Sequence, residues 1–318
     1  MTKLIDAGSK HKLLVVETLA LLCRDNDQMQ RAASDAKLIP RLIKEVPLVE
    51  KKSKSELEDN EYFTDLHQVL LVAIGEIVSN NEESRLYAIG ENAISIVERG
   101  MRNESSKIRA AACLLARYLS RSARIIHTKM SESQILPLIL DLLDDYSEEV
   151  RIMASSILPN ILLDYSPMRQ IAIDKGIISK LVFMLEESSI EIRKNVLWSI
   201  KNLLSMSTSS IKQKVMRELT YMRLLSFLND SNDIIKEQAV NILRNLVCSS
   251  VEDITETVNS FGRYALESLL VSLLKSENET ILLHTLYTIT NICIGTEDHK
   301  NMIIFNDEIM KSILAFLV

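Results

Sequence analysis

The chain has 318 residues, is 47% hydrophobic and 25% charged, and carries a net charge of −6. That balance supports a large folded core rather than a disordered chain, and its acidity argues against a general nucleic-acid binder, whose affinity rests on clustered cations. Only 7 Gly and 5 Pro occur, too few for the special turns of a β-rich or α/β chain, so an all-α fold is predicted.

The N-terminal MTKLIDAGSKHK has no signal-peptide core, and no apolar run reaches the length of a membrane span. Cys23, Cys113, Cys248 and Cys293 lie 45 or more residues apart inside apolar segments, which is no disulfide framework and points to a reducing compartment. A cytoplasmic or nuclear protein without membrane association is expected. The first predicted helix runs through Leu21, and the charged, apolar-poor VEKKSKSELEDNE at 49–61 is expected to be a loop insertion. Beyond it, related helices follow one another: LLVAIGEIVS (70–79), CLLARYLS (113–120), MASSILPNILL (153–163), NVLWSIKNLLS (195–205), AVNILRNLVCS (239–249) and HTLYTITNICI (284–294). Aligned on one position they give Leu21, Glu76, Tyr118, Asn160, Asn202, Asn245 and Asn291, spaced 55, 42, 42, 42, 43 and 46 residues apart. Removing the inserted loop brings the first spacing to the common value.

A period near 42 with helical patterning is the mark of an armadillo or HEAT solenoid. Each long helix is preceded by an acidic or serine-rich turn and then Ile or Val followed by a cation, as in SSKIRAA, SEEVRIM, SSIEIRK and SNDIIKE. The turn is expected to supply N-cap oxygens, and the Ile and Leu positions an apolar stripe. Shorter apolar helices come before it (LPLILDLL, ISKLVFML, ALESLLVSLL), Gly176 breaks the chain, and Ser166–Pro167 marks a helix start. Three helices per unit indicate an all-α armadillo-repeat, right-handed superhelical solenoid of about six repeats. Its predicted division is 1–48 as a partial first repeat, 49–61 as the loop, 62–308 as central repeats and 309–318 as a C-terminal helix. Pro159, inside a third helix, should kink or break it.

Chemistry is scarce. His11, His67, His127, His284 and His299 show no metal-ligand spacing, and none of HExxH, GxxxxGK[ST], GxGxxG or GxSxG occurs. No enzyme, cofactor or metal is predicted. A solenoid offers instead an extended concave face lined by its third helices. Two columns of residues stand on it. Asn160, Asn202, Asn245 and Asn291 repeat at one position although Asn is a mediocre helix former; their amides either hold the backbone of an extended peptide or bond the adjacent repeat. One turn earlier stand Trp198, Asn241 and Tyr287, a cluster of binding-hot-spot character unless Trp198 is core. Lys201, Arg244 and Arg117 occupy the place just before the aligned position. Residues 99–129 hold Arg99, Arg102, Lys107, Arg109, Arg117, Arg121, Arg124 and Lys129 against the single acid Glu104. Arg109, Arg117, Arg121 and Arg124 are accordingly expected to form a basic patch, with Arg117, Arg121 and Arg124 on one helix face; a solvated face is the alternative.

The phrases SSKIRAAACLLARYLSRSARIIHT (105–128), ILLDYSPMRQIAIDKGIISKLV (161–182), NVLWSIKNLL (195–204), ILRNLVCS (242–249) and HTLYTITNICIGTEDHKNMIIFNDEIMKSI (284–313) resemble, in order, the armadillo subunit of the GID/CTLH ubiquitin ligase. LCRDNDQMQRAASDAKLIPRL (22–42) is similar to its middle repeats. The resemblance implies a non-catalytic scaffold that docks onto the ligase's LisH/CTLH core, reaches the RING subunits indirectly, and recruits a substrate receptor whose C-terminal tail lies in the groove of the later repeats. Carried over, that groove comprises Trp198, Asn202, Asn241, Arg244, Asn245, Tyr287 and Asn291. Protein partners, and neither nucleic acid nor membrane, are therefore expected. The chain is shorter than is usual for that family and begins almost at a third helix, and its apolar MKSILAFLV end lacks the polar cap of a solenoid terminus; early repeats are expected to be missing and one end to be covered by a core subunit. The alternative functions are those of an importin-α-like receptor, which would want several Trp–Asn pairs and acidic groove residues, and a catenin-like signalling adaptor with a basic groove.

Overall fold

The computed structural model describes residues 11–55 and 60–316, and every regular element among them is helical. Two compact units divide the chain, Met1–Lys175 and Gly176–Val318. The first opens with Lys12–Cys23, which packs on Asn60–Val78 as one third helix packs on the next. The triplets that follow are Asp27–Asp35, Leu38–Ser55 and Asn60–Val78, then Glu82–Gly90, Ala93–Met101 and Ser106–Leu119. The second unit holds Ser209–Leu219, Tyr221–Leu228 and Asp233–Leu246, then Val251–Phe261, Arg263–Leu274 and Glu279–Cys293, followed by Glu297–Ile304 and Asp307–Ala315.

Each third helix is long because its apolar residues recur at helical spacing and face both neighbours. Ile190–Leu204 buries Ile192, Val196, Leu197, Ile200, Leu203 and Leu204, and it packs against Asp233–Leu246, which in turn packs against Glu279–Cys293. Asn60–Val78 is buried along most of its second half, from Leu70 to Val78. At the sites where the chain turns from first to second helix the backbone passes through positive φ: Gly262 at +80° and Thr220 at +61°. Gly176, at +81°, enters the Ile177–Met184 helix.

Asn232 caps its third helix as expected, accepting from the Ile234 N–H at 3.0 Å, but the serine turns work differently. Ser105, Ser147 and Ser189 stand at the N-cap without a side-chain cap bond. Instead the side chain two residues earlier accepts from the N-cap backbone: Asn103 from Ser105, Asp145 from Ser147 and Asp230 from Asn232, at 2.9, 2.9 and 2.8 Å. Such short-range turns compete well with helix and fix where it starts. The cation after Ile or Val then folds back: Arg109 Nη1 donates to the carbonyls of Asn103 and Glu104, and Arg151 Nη1 to that of Asp145. The sequence pattern of acid-rich turn, branched residue and cation is thus a local clamp.

Pro159 does break its helix, leaving Glu148–Ser155 and Leu158–Ile161 as separate pieces. Ser166 caps Pro167–Asp174 by accepting from the Met168 N–H at 3.3 Å. Residues 49–55, expected to be loop, continue the Leu38–Ser55 helix, and 60–61 begin the next one. Glu and Lys are good helix formers, and Glu50 is anchored by an ion pair with Arg99 at 3.1 Å; residues 56–59 lie outside the described residues. The C-terminal helix begins at Asp307, and Leu314 and Phe316 are exposed.

Candidate third-helix binding face

In the second unit three third helices stand side by side, and the predicted residues gather on them. Trp198 is exposed at 39% and Tyr287 at 49%, far from the core values of their Leu and Ile neighbours. Trp198 therefore faces outward. Lys201 Nζ lies 5.1 Å from the centre of the Trp198 ring, and the Arg244 guanidinium 5.2 Å from that of Tyr287, both within cation–π range. Arg244 Nη1 also lies 3.1 Å from His284 Nδ1, so the imidazole accepts as the neutral form. Burial lowers the His284 pKa, and Arg244 and Lys201 lower it further. Burial likewise brings Lys201 down to about 8, with Arg244 adding to the effect and Glu237 opposing it.

The asparagines perform a specific task. Asn245 Nδ2 donates to the main-chain carbonyl of Lys201 at 2.9 Å, and Asn291 Nδ2 to that of Arg244 at 3.3 Å. In the first unit Asn160 Nδ2 donates to the Arg117 carbonyl at 3.4 Å and to Ser120 Oγ at 2.9 Å. Each amide reaches a carbonyl in the last turn of the preceding third helix, where partners inside the helix run out. Of the two readings the sequence left open, bonding to the adjacent repeat is the one made within the chain. Asn202 is half-buried at the same position. Asn241, expected in the groove, is buried at 7% exposure and donates to the Glu237 carbonyl of its own helix at 3.1 Å; it is not offered to a ligand. His284 is the residue that sequence reasoning passed over, although its place three residues before Tyr287 puts both on one helix face.

Between Leu21 and Asn160 in the first unit, the aligned position is occupied by Glu76 and Tyr118. Glu76 is buried, 3.3 Å from Arg24 Nε, and accepts from the Tyr118 hydroxyl at 3.5 Å. Arg121 lies over the Tyr118 ring at 4.9 Å and donates to the Ser79 carbonyl.

The basic patch does not form as expected. Arg109 is buried at 7% exposure and donates through Nε and Nη2 to the two carboxylate oxygens of Asp145, at 2.6 and 2.9 Å. Burial alone would raise the Asp145 pKa, but the Arg109 hydrogen bonds hold it below the usual carboxylate range. Lys107 pairs with Asp65 and Arg99 with Glu50, so carboxylates from outside the cationic stretch neutralise much of it. Arg117, Arg121 and Arg124 do not share one helix: Ser106–Leu119 ends first, and Ser122 caps the next helix by accepting from the Ile125 N–H at 3.2 Å. Among the described residues no group of His, Cys, Asp and Glu is placed to hold a metal ion, and no helix is long and apolar enough to cross a membrane.

Stacked three-helix units joined by third-helix amides define an armadillo-repeat protein. A designed armadillo repeat protein in complex with the peptide (KR)4 superposes with a TM-score of 0.65 at 22% identity, over 80% of this chain and 98% of that one. Residues 179–267 match the family model of the VID28/GID5 C-terminal domain. Armadillo repeat-containing protein 8 of Pongo abelii is 25% identical over 99% of this chain, and GID complex subunit 5 of Schizosaccharomyces pombe 20% identical over 96%. The chain is thus similar to Armadillo repeat-containing protein 8 and GID complex subunit 5, and it spans about half the length of the curated relatives it matches, 48% and 41% in these two cases.

Proposed function

We propose that the chain is a non-catalytic scaffold of a GID/CTLH-type ubiquitin ligase, acting in the cytoplasm or nucleus, that recruits the substrate receptor by holding its C-terminal tail across the third helices of the second unit. The observation that carries this reading is a coincidence of position: the match to the VID28/GID5 C-terminal domain, residues 179–267, spans the helices bearing Trp198, Lys201, Asn202, Arg244 and Asn245. Exposed aromatic rings with cations laid over them are the side chains that dominate peptide and protein recognition. The (KR)4 complex of the designed neighbour supports a peptide as the kind of ligand this fold accepts.

The test is affinity purification of the tagged protein from cells. LisH/CTLH-type and RING subunits are expected in the eluate, and recovery of the substrate receptor should fall when Trp198 and Tyr287 are both replaced by Ala. Importin β in their place overturns the assignment.

A further inference from the structure

Buried cations of this acidic chain have a carboxylate partner in Arg109 with Asp145, Lys212 with Asp253 and Arg85 with Glu82. Lys201 and Arg244, both half-buried, are held differently and in a shared place. Each lies over an aromatic ring, and Arg244 is turned to a neutral imidazole rather than to an acid. Among the described residues neither closes an ion pair; Glu237 opposes the lowering of the Lys201 pKa, while Arg244 and Lys201 repel one another and both act on His284. Unneutralised like charges held together cost free energy, and an arriving anion removes that cost.

We propose that this face selects an extended segment with acidic side chains at alternate positions, Lys201 and Arg244 each taking one carboxylate and His284 positioning Arg244. The proposal rests on the peptide-holding role given above and adds its charge. The two cations come from equivalent places on adjacent third helices, which pack about 8–10 Å apart. Side chains two apart on an extended strand are separated by about 7 Å, a gap that long Lys and Arg side chains span. The choice is opposite in sign to that of the designed neighbour bound to (KR)4.

The reading predicts that binding takes up a proton. Lys201, with its pKa near 8 in the free protein, is fully charged in the complex, and the peptide carboxylates keep their charge throughout the alkaline range. Fluorescence anisotropy with a C-terminally amidated (DE)4 peptide tests the proposal on the full chain. Binding about tenfold or more tighter than that of (KR)4 is expected, and a further weakening of about tenfold as the pH is raised from about 7 to about 9.5. A Lys201→Gln, Arg244→Gln double variant with an unchanged circular dichroism spectrum should lose the preference. Equal binding of the two peptides, preference for (KR)4, no binding of (DE)4, or a pH-independent affinity each overturns the proposal. So does equal binding of a neutral Gly/Ser peptide with a free C-terminus, which would assign the cations to a terminal carboxylate. None of these outcomes touches the scaffold reading, which fails separately if the purified protein recovers no ligase subunits.

Discussion

Asn245 Nδ2 donates to the main-chain carbonyl of Lys201, 2.9 Å away and 44 residues earlier in the chain. The bond joins one third helix to the next and at the same time fixes the backbone from which the Lys201 side chain reaches over Trp198. Asn291 repeats it onto Arg244. The amide ladder is thus a stitch between repeats, with Lys201 and Arg244 mounted on the stitched carbonyls.

Removing a stitch should cost about 1 kcal/mol, the net worth of one such hydrogen bond. The Lys201 carbonyl also accepts from the Ser205 N–H at 3.1 Å, so Asn245→Ala leaves it partly satisfied. Asn291→Ala is expected to be the more destabilising of the two in urea unfolding; the reverse order would count against the stitch.

Trp198→Ala tests the outward ring. A buried Trp replaced by Ala costs about 3–5 kcal/mol. With the ring exposed at 39%, its buried part is worth about 2.5 kcal/mol, so the loss should fall short of the core range and be accompanied by a clear loss of partner recruitment. A melt lowered by the full core value would place the ring inside.

Arg109 and Arg124 separate clamp from patch. Arg109→Ala leaves Asp145 buried without its partner, a change that typically costs about 3–5 kcal/mol. Arg124→Ala removes an exposed cation and should be within about 0.5 kcal/mol of wild type. Similar stabilities for the two variants would return Arg109 to the surface.

Thr220 holds φ +61° and ψ 147° between Ser209–Leu219 and Tyr221–Leu228, a region suited to Gly and costly for a β-branched residue. Its hydroxyl accepts from the Arg223 N–H at 3.3 Å, but Gly at an N-cap gives up only a few tenths of a kcal/mol. Thr220→Gly should therefore stabilise the protein, by about 1 kcal/mol. A lower melting temperature would show the strain to be absent.

The equivalent turn of the next repeat already has Gly262, and this difference between repeats bears on what the sequence made legible. Local signals were readable: the third-helix stripe, the Pro159 break, and the Ser166–Pro167 start all depend on residues within one turn of each other. Contacts one repeat away were not. Arg109 finds Asp145 36 residues on, and Glu50 meets Arg99 49 residues on, so one cation left the expected patch and the expected loop remained helix. His284 went unnoticed because a single His in a helix carries no signal until Arg244 is seen beside it.

Glu76 gives a pH test. Burial raises its pKa above the ordinary 4.5, with Arg24 opposing, so the folded protein holds this proton more tightly than the unfolded chain does. Ionising the carboxyl then weakens the fold as pH rises from 4.5 to the raised folded value. Glu76→Gln removes that dependence: relative to wild type the variant should gain stability above the window and none below it. Chemical denaturation of both proteins across the acidic range measures the difference, and parallel curves would refute the shift.

Lys212 is buried, and its Nζ donates to the carbonyls of Leu246 and Cys248 and to Asp253 Oδ2. All three N–H bonds are committed, so no lone pair can be exposed without opening the helices around it. Acylating reagents, and any enzyme that transfers an acyl group to surface lysines, will pass this one by while the second unit is folded. Mass-spectrometric labelling at this single position therefore reads the integrity of that unit, independently of whether anything is bound to its third helices.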